Sequence, residues 1–475
     1  MSNASNPGPP ARPNILLIHS DQHRFDCLGH HGHPQLKTPN LDRLAADGVD
    51  FSHAFTPSPI CSPARASLLT GRWPTQHRCV NIPTFDGWQP ATLEGPTLYD
   101  LLRDAGYGLS HVGKFHKEIP GTPADYGVDF LWEEDDYDAY RAAEGLPERE
   151  QKGWFGFIDD TTPPEHHRIA WGARESIDAI ERFTQAGQPW LVRWDPSEPH
   201  LPNLLPKELA DLYPPESIEP WPSFHDPLEN KPPMQRQQRL SWGLDDWTWD
   251  DWAPIVSRYL AEITLLDEWV GKLLATLDRL GLAENTLVIY STDHGDLCGA
   301  HGMIDKHYMM YDDVVQVPLT MRWPGVLPEG KTCDAFSIHE LDLATTIASA
   351  AGVDVPVAFE GEDLVPVARG DAEPTRRDAF SMYFGCQFGL YSSRMVRDRR
   401  WKYVWNLTAP DELYDLDTDP HELTNRIDDP SAADELQRLR LRVRDWCRSI
   451  DDKQLNEFTE PQLTTPGVKL GFKTA

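Results

Sequence analysis

Short apolar runs that alternate with amphipathic helical segments constrain the fold of this chain most strongly. The run NILLIHS (14–20) predicts a buried strand, and TPNLDRLAADGVDF (38–51) predicts a helix that begins at a threonine cap and stops at a glycine. The same alternation recurs at 97–116, 255–282 and 286–296. Repeated β–α units of this kind predict an α/β fold with a large, mainly parallel mixed sheet flanked by helices.

Changes in composition divide the chain into segments. Residues 1–12 predict a disordered leader, and 13–375 predict the α/β domain. Within it, about 120–250 is rich in Pro, Trp and acidic residues, which indicates insertions on the site-bearing face. Residues 376–452 alternate like a smaller antiparallel sheet and end in a helix, which predicts a C-terminal α+β subdomain. Residues 453–475 predict a polar tail.

Charge and cysteine usage limit the classes of partner. The formal net charge of −31 and the pI near 4.9 argue against nucleic acid and anionic membrane surfaces, which would repel the chain. No apolar run approaches the length of a bilayer span. The cysteine count is odd and lacks metal-type spacing, which suits a reducing compartment and predicts a cytoplasmic protein. The seven cysteines are Cys27, Cys61, Cys79, Cys298, Cys333, Cys386 and Cys447.

Polar side chains follow two of the predicted strands. Asp21 and Gln22 come directly after the first strand, and Asp293 and His294 follow the strand that begins near 286. Ligands of open parallel sheets gather at the carboxyl ends of strands, so we expect these side chains to converge. Three oxygen donors and one imidazole suit a divalent cation such as Ca²⁺, Mg²⁺ or Mn²⁺. Turn and cap residues are the alternative, but the combination favours the metal.

The stretch ICSPARASLLTGRWP (60–74) places Cys61 just before a predicted helix. A nucleophilic cysteine needs a lowered pKa and a nearby base, whereas a structural cysteine normally sits in an apolar pattern or beside a partner cysteine. Neither description fits this stretch well on its own.

The chain resembles the type I sulfatases of the alkaline-phosphatase-like superfamily. CSPARASLLTGR (61–72) matches their C-x-P-x-R signature, and an unmodified buried cysteine is the weaker alternative. Further matching motifs are NILLIHSDQHR (14–24), VGKFH (112–116), SEPHLP (197–202), STDHGDLCGAHGMIDKH (291–307) and ELYDLDTDPHELTN (412–425). The resemblance implies an alkaline-phosphatase-like fold. It also implies that a formylglycine-generating enzyme converts Cys61 to Cα-formylglycine during maturation.

The resemblance also implies the roles of individual residues. Asp21, Gln22, Asp293, His294 and residue 61 would bind one divalent cation. Cys61, Arg65, Lys114, His116 and His200 would be catalytic, and Lys306 and Asn81 would bind substrate. Many family members have Asp in place of Gln22 and Asn in place of His294. This difference lowers the ligand charge, and Mn²⁺ or Mg²⁺ tolerates the imidazole better than Ca²⁺ does. The expected cation is Ca²⁺ or Mn²⁺, with Mg²⁺ as a further option.

The implied reaction is hydrolysis of a small-molecule sulfate ester. An aldehyde at residue 61 hydrates to a geminal diol, and one hydroxyl, ionised beside the cation, Arg65 and Lys114, attacks sulfur. His200 would protonate the leaving alcohol. His116 would take the proton of the second hydroxyl, so that sulfate leaves and the aldehyde returns. A serine at this position would be trapped as a sulfate ester.

Other interpretations stay open at this point. The nearer one is a phosphonate monoester or phosphodiester hydrolase on the same scaffold, because relatives with an Asp-Gln metal pair include such enzymes. The Lys-x-His pair in VGKFH favours the sulfatase. A binding protein whose cysteine is never converted is the more distant alternative. The run HHGHP (30–34) favours a polar loop over a second metal site. The polar tail could contact a neighbouring subunit in a homo-oligomer.

Overall fold

The structure is a computed structural model that describes residues 12–82, 93, 95–116, 118–149, 153–385 and 390–465. Of the predicted leader, only residue 12 belongs to these ranges. Residues 466–475 of the predicted tail lie outside them, as does Cys386. The search for membrane spans found no helix among the described residues that is long and apolar enough to cross a bilayer.

The strands of the described residues form one large sheet, one smaller sheet and two strand pairs. In chain order they are β1 (Asn14–Ser20), β2 (Val49–Phe51), β3 (Ala54–Phe55), β4 (Gly108–Gly113), β5 (Phe130–Trp132), β6 (Phe157–Asp159), β7 (Trp190–Asp195), β8 (Leu204–Pro206), β9 (Thr286–Thr292), β10 (Leu319–Arg322), β11 (Lys331–Cys333), β12 (Ser337–Ile338), β13 (Ala379–Gly385), β14 (Tyr391–Arg397), β15 (Trp401–Asn406) and β16 (Glu412–Asp415).

The large sheet has the order β11-β2-β10-β9-β1-β7-β4-β5 among the described residues. All pairings are parallel except those of β10, which runs antiparallel to both β2 and β9. The predicted large, mainly parallel mixed sheet is therefore confirmed.

The described residues form thirteen α-helices, several of which cover the two faces of the large sheet. They are α1 (Pro39–Ala46), α2 (Cys61–Thr70), α3 (Pro74–His77), α4 (Leu98–Asp104), α5 (Glu134–Ala143), α6 (Arg168–Ala186), α7 (Pro233–Trp242), α8 (Trp249–Leu280), α9 (Asp312–Val315), α10 (His339–Ala350), α11 (Leu364–Arg369), α12 (Ala433–Ser449) and α13 (Pro461–Thr464). Because side chains alternate along β1, Ile15 and Leu17 pack with α2, α4 and α10, whereas Leu16 and Ile18 pack with α1, α6 and α8. The strand is buried on both faces, which explains its unbroken apolar run.

The C-terminal part forms a smaller antiparallel sheet of β13, β14, β15 and β16. Helix α12 contacts β14 and β15, and Leu439 and Val443 belong to the same apolar cluster as Met395 and Tyr403. This agrees with the predicted antiparallel subdomain.

The interpretation of 120–250 as insertions is too broad. Within it, α6 and β7 form a regular α–β unit, and β7 lies in the middle of the sheet beside β1. Its sequence WLVRWD carries Arg193 and Asp195, so its apolar run is short and charged. Both charged side chains are buried, and their burial is compensated because Arg193 donates hydrogen bonds to Asp195 over 2.7 and 2.6 Å. A buried, internally paired charge conceals a strand from hydrophobic pattern analysis.

The strand register brings the candidate site together. Ser20 at the end of β1 is paired with Thr292 at the end of β9, so Asp21 and Asp293 emerge side by side. On the other side of β1, Ile18 is paired with Trp194, the residue before Asp195. Three carboxylates therefore emerge at the carboxyl edge of three adjacent strands.

Candidate active site

Cys61 is the first residue of α2, whose ten residues are all buried. Pro63 fits in the first helical turn, because the backbone N–H groups there have no partner within the helix. The helix ends at Gly71, which adopts the left-handed region (φ 62°) and whose Cβ, if present, would lie 2.4 Å from the Phe359 ring. The signature thus encodes a buried helix that presents Cys61 at its N-terminus.

Four potential metal ligands meet at this N-terminus. Ligand atoms of Asp21, Cys61, Asp293 and His294 all lie within 4.8 Å of one another, and all four residues are buried. Cys61 Sγ lies 3.2 Å from His294 Nε2 and 3.8 Å from Asp21 Oδ1. His294 Nδ1 lies 2.8 Å from the Gly295 carbonyl oxygen, which holds Nε2 toward the cluster.

Gln22 lies beside this group. Its backbone N–H donates to Asp293 Oδ1 (3.2 Å), and its backbone adopts a left-handed conformation (φ 67°) that is strained for a non-glycine residue. The side-chain oxygen accepts a hydrogen bond from Lys306 Nζ (2.7 Å), and the side-chain nitrogen donates to Asp296 (2.8 Å). A carbonyl oxygen has two lone pairs, so this contact leaves one for a cation.

Arg65 contacts carboxylates. Its guanidinium donates to Asp293 Oδ2 (2.9 Å), Asp195 Oδ2 (2.5 Å) and Asp21 Oδ2 (3.0 Å), and to the backbone oxygens of Ser20 and Lys114. Burial alone would lower the pKa of Arg65, but these carboxylates raise it. The sequence-based expectation was that Arg65 supports the modified residue 61. In the structure its hydrogen bonds orient the carboxylates around that residue, which is a positioning role.

Cationic groups surround the thiol of Cys61. Lys114 Nζ lies 3.7 Å from Cys61 Sγ and 2.6 Å from Asp21 Oδ2. Lys306 Nζ lies 2.6 Å from His200 Nε2, and that nitrogen is 3.9 Å from Asp21 Oδ1. Burial would raise the pKa of Cys61, but the charges of Lys114, Lys306 and His294 lower it well below its usual value. The site is therefore built to hold negative charge at residue 61.

His116 follows β4 in a left-handed conformation (φ 84°). Its Nδ1 lies 3.1 Å from Glu118 Oε2, which also accepts a hydrogen bond from Ser62 (3.0 Å). This contact favours a proton on Nδ1 and leaves Nε2 as an acceptor. The buried Nε2 has no hydrogen-bond partner in the part of the chain that the structure describes.

Access to the site runs past three partly exposed side chains. Lys114, His116 and His200 expose 19, 15 and 18 per cent of their side chains, whereas Cys61 is 1 per cent exposed. A substrate that reaches residue 61 must therefore pass between two imidazoles and an ammonium group.

A family model described as Sulfatase matches residues 13–353 of the chain. The chain belongs to the sulfatase family. A second model, described as N-sulphoglucosamine sulphohydrolase, C-terminal, matches residues 299–448 of this sulfatase. The family predicted from the sequence is thereby confirmed, and the protein is a sulfuric ester hydrolase.

Individual relatives of this sulfatase match along nearly its whole length. Choline-sulfatase of Rhizobium meliloti (strain 1021) is 30% identical, with 94% of this chain and 89% of the relative covered. The protein named Uncharacterized sulfatase YidJ of Escherichia coli (strain K12) is 29% identical, with 93% and 88% covered. The crystal structure of a phosphonate monoester hydrolase of Agrobacterium radiobacter superimposes with a TM-score of 0.76 at 26% identity, covering 94% of this chain and 96% of that one.

The residues of this sulfatase fit a divalent cation. Asp21 and Asp293 are fully buried. Burial and the charge of Asp21 raise the pKa of Asp293. Burial would also raise the pKa of Asp21, but Lys114, His200 and Arg65 hold it well below its usual range, so the site keeps a carboxylate charge available for a cation. Two carboxylates, the Gln22 amide oxygen and the His294 imidazole form a mostly hard donor set that suits Ca²⁺, Mn²⁺ or Mg²⁺, and the imidazole favours Mn²⁺ among them.

Sequence reasoning missed several residues of this sulfatase's site. Asp195 was hidden because its strand lay in the range interpreted as insertions. Glu118, Asp296 and Asp305 accept hydrogen bonds from, or pair with, site residues. Each lies within three residues of a motif residue, so proximity to a motif was the available signal. Asn81 is half-buried after α3, and its assignment to substrate binding stays a prediction.

Proposed function

We propose that this sulfatase uses residue 61, as formylglycine, to hydrolyse small-molecule sulfate monoesters at a site with one bound divalent cation. One observation carries the proposal: Cys61 lies buried at a helix N-terminus, and its Sγ is 3.8 Å from Asp21, 3.2 Å from His294 and 3.7 Å from Lys114. A neutral substrate would gain nothing from so many cationic groups, whereas a sulfate ester carries the complementary charge.

Asp21, Gln22, Asp293 and His294 would hold the cation. When bound, it would supply positive charge next to the transferring group and to residue 61. Arg65 keeps two of these carboxylates in place through bonds of 2.9 and 3.0 Å. Ca²⁺ or Mn²⁺ is proposed, with Mg²⁺ as a further option.

Residue 61 supplies the nucleophile in this proposal. A hydrated aldehyde at this position offers one hydroxyl for attack and a second whose proton can later be removed. The N-terminus of α2 and the Lys114 ammonium, which is 3.7 Å from Sγ, favour negative charge on the attacking atom. A formylglycine-generating enzyme is the proposed maturation partner.

Lys306 and His200 are proposed to act as a pair on the leaving group. His200 Nδ1 lies 2.5 Å from the Leu201 carbonyl oxygen, so Nε2 accepts a hydrogen bond from Lys306 Nζ. Burial, Lys306 and Lys114 lower the pKa of His200, which keeps the imidazole neutral while Lys306 holds the proton. The proton that reaches the leaving oxygen therefore comes from the Lys306–His200 pair.

His116 is proposed as the base of the second stage. Its Nε2 is buried and unpartnered within the described residues, and Glu118 holds the opposite nitrogen. It would remove the proton of the second hydroxyl on residue 61, so that sulfate is released and the aldehyde is restored.

A phosphonate monoester or phosphodiester hydrolase is the second candidate, because the Agrobacterium radiobacter enzyme shares 26% identity and the fold. A substrate panel with one leaving alcohol distinguishes the two. The sulfate ester should give the highest kcat/KM, above the phosphonate monoester, the phosphate monoester and the phosphodiester. A phosphonate monoester preferred by a large factor over every sulfate ester would replace the proposal with the second candidate.

A cytoplasmic location stays a prediction from the sequence, and so does a homo-oligomer through the C-terminal tail. The described cysteines are all unpaired and buried, which is compatible with a reducing compartment.

A further inference from the structure

A second cluster of ligand-type side chains lies away from residue 61. His30 and His31 follow β1 in the HHGHP loop, and Asp50 belongs to β2. Ligand atoms of these three residues lie within 4.8 Å of one another. His30 Nε2 is 3.3 Å from Asp50 Oδ1, and His31 Nε2 is 3.1 Å from both carboxylate oxygens.

The ring orientation of each histidine is fixed by an oxygen atom next to its Nδ1. His30 Nδ1 lies 3.0 Å from Asp42 Oδ1, and this carboxylate is itself held by the His30 backbone N–H and by Thr38. His31 Nδ1 lies 2.7 Å from the Phe25 carbonyl oxygen. An acceptor opposite Nδ1 places the ring proton there and turns the Nε2 lone pair toward the third residue. Carboxylate and carbonyl partners of this kind are the usual outer contacts of metal-bound histidines.

The arrangement leaves three electron-pair donors facing one another. With the ring protons on Nδ1, both Nε2 lone pairs point at the carboxylate of Asp50, which has only acceptors to offer. Their mutual repulsion is relieved either by protons on the Nε2 atoms or by one divalent cation between the three groups. We propose that His30, His31 and Asp50 bind a divalent transition-metal ion, of which Zn²⁺ is the best fit.

Donor type and spacing both support zinc. Two imidazoles and one carboxylate form a softer set than the Asp21, Gln22 and Asp293 oxygens with their single imidazole. Tetrahedral bonds of about 2.0–2.1 Å place ligand atoms roughly 3.3 Å apart. The two N–O separations of 3.3 and 3.1 Å match that spacing. The side chains of His30, His31 and Asp50 are 16, 8 and 12 per cent exposed, so an ion and a water ligand can reach the site.

The bound ion would join the loop after β1 to β2. That loop continues directly from Asp21 and Gln22, but within the described part of the chain none of the three ligands forms a hydrogen bond or an ion pair with residue 61. The HHGHP run alone favoured a polar loop, and Asp50 lies 19 residues after His31 on a different element. Only the fold brings the third ligand to the two histidines.

The test measures bound zinc on the full chain, with excess Ca²⁺ present to occupy the cluster at residue 61. Metal-stripped protein is equilibrated with Zn²⁺, passed through gel filtration and analysed for zinc. Wild type and Asp293→Asn should both retain one equivalent per chain. His31→Gln and His30→Gln should lose it. Asp42→Asn should weaken zinc binding by roughly 10–100-fold, as expected for loss of an outer contact.

His421→Gln serves as the matched control, because His421 is exposed and lies in the C-terminal subdomain. It should retain wild-type zinc. A measurement on wild type alone guards against variants that fail to fold: one equivalent of Zn²⁺ should raise the midpoint of thermal unfolding. Equal zinc in wild type and His31→Gln, or no change in the wild-type midpoint, would overturn the proposal in favour of protonated histidines. Neither outcome depends on the sulfatase reaction.

Discussion

Arg65 Nη1 donates a hydrogen bond to Asp195 Oδ2 over 2.5 Å, and this contact joins the signature helix α2 to the central strand β7. Asp195 is also bonded by Arg193, so one buried carboxylate serves two buried guanidinium groups. The same Arg65 holds Asp21 and Asp293, which are predicted metal ligands. Asp195 therefore influences the geometry of the candidate metal site through a single side chain, that of Arg65.

Asp195→Asn should lower kcat and weaken metal binding, each by about 10–100-fold, because the Arg65 guanidinium loses one of its three anionic partners. Stability should also fall, by about 3 kcal/mol or more, since a buried guanidinium is left under-compensated. Steady-state kinetics, metal titration and denaturant unfolding measure the three effects.

The control is Asp160→Asn, an exposed aspartate, which should leave all three quantities near wild type. If Asp195→Asn destabilises the protein but its kcat and metal affinity match wild type, Asp195 is purely structural and the positioning role of Arg65 fails.

The convergence of Asp21 and Asp293 could be predicted from the sequence, because both residues directly follow strongly apolar strands whose carboxyl ends meet at one sheet edge. Asp195 follows a strand of the same sheet, yet it could not be predicted. The charge of Arg193 interrupts the apolar run of β7, and its compensation by Asp195 appears only in the folded chain.

Contacts between segments that are distant along the chain could not be predicted from the sequence either. The order of His30, His31 and Asp50 along the chain does not reveal that β2 lies beside the HHGHP loop, because strand order in a sheet follows from packing. The pairing of Lys306 with His200 likewise depends on two loops, 106 residues apart, that meet at the sheet edge.

Lys114→Ala and His116→Ala should affect different stages of the reaction. Lys114 lies next to residue 61 and Asp21, so its loss should slow the attack and give no burst. Loss of His116 should leave the attack partly intact and slow the release of sulfate. Rapid mixing with an aryl sulfate should then show a burst of about one alcohol per active site.

Thr75→Ala, a substitution in the short helix α3 outside this cluster, should behave like wild type in the same assay. A His116→Ala enzyme without a burst, at a rate equal to that of Lys114→Ala, would contradict the separation of the two roles.

Asp293→Asn and Asp21→Asn should each weaken metal binding sharply, because each removes a ligand charge from a small donor set. Elemental analysis in the absence of added zinc should find about one divalent ion per wild-type chain at the residue 61 cluster. The exposed Asp160→Asn protein is again the comparison. Metal-free protein with full activity would exclude the predicted cation.

Glu262 predicts a pH dependence of stability. Burial and the nearby Glu198 charge raise the pKa of Glu262 from 4.5 to about 8, while Asn203 donates to its carboxylate (2.8 Å). Between about pH 4.5 and 8, the folded chain therefore holds a proton that the unfolded chain has already released. Its contribution to stability is full below this window and is lost as the pH rises through it.

Glu262→Gln removes this ionisation and keeps the shape of the side chain. The free energy of unfolding of this variant, relative to that of wild type, should rise by about 3–4 kcal/mol between pH 5 and pH 8. Denaturant unfolding at a series of pH values measures the difference, with the exposed Glu144→Gln as control. Parallel wild-type and Glu262→Gln profiles would show that Glu262 is already ionised in the folded protein.

The claim that residue 61 acts only as formylglycine is tested most directly by plotting specific activity against the fraction of protein in which residue 61 is converted. Preparations made with different amounts of a formylglycine-generating enzyme are analysed by mass spectrometry of the residue 61 peptide and assayed on the same sulfate ester. Activity should rise in proportion to the converted fraction and extrapolate to zero, and folded Cys61→Ala and Cys61→Ser should lack turnover. Full activity in protein that contains only unmodified Cys61 would contradict the account.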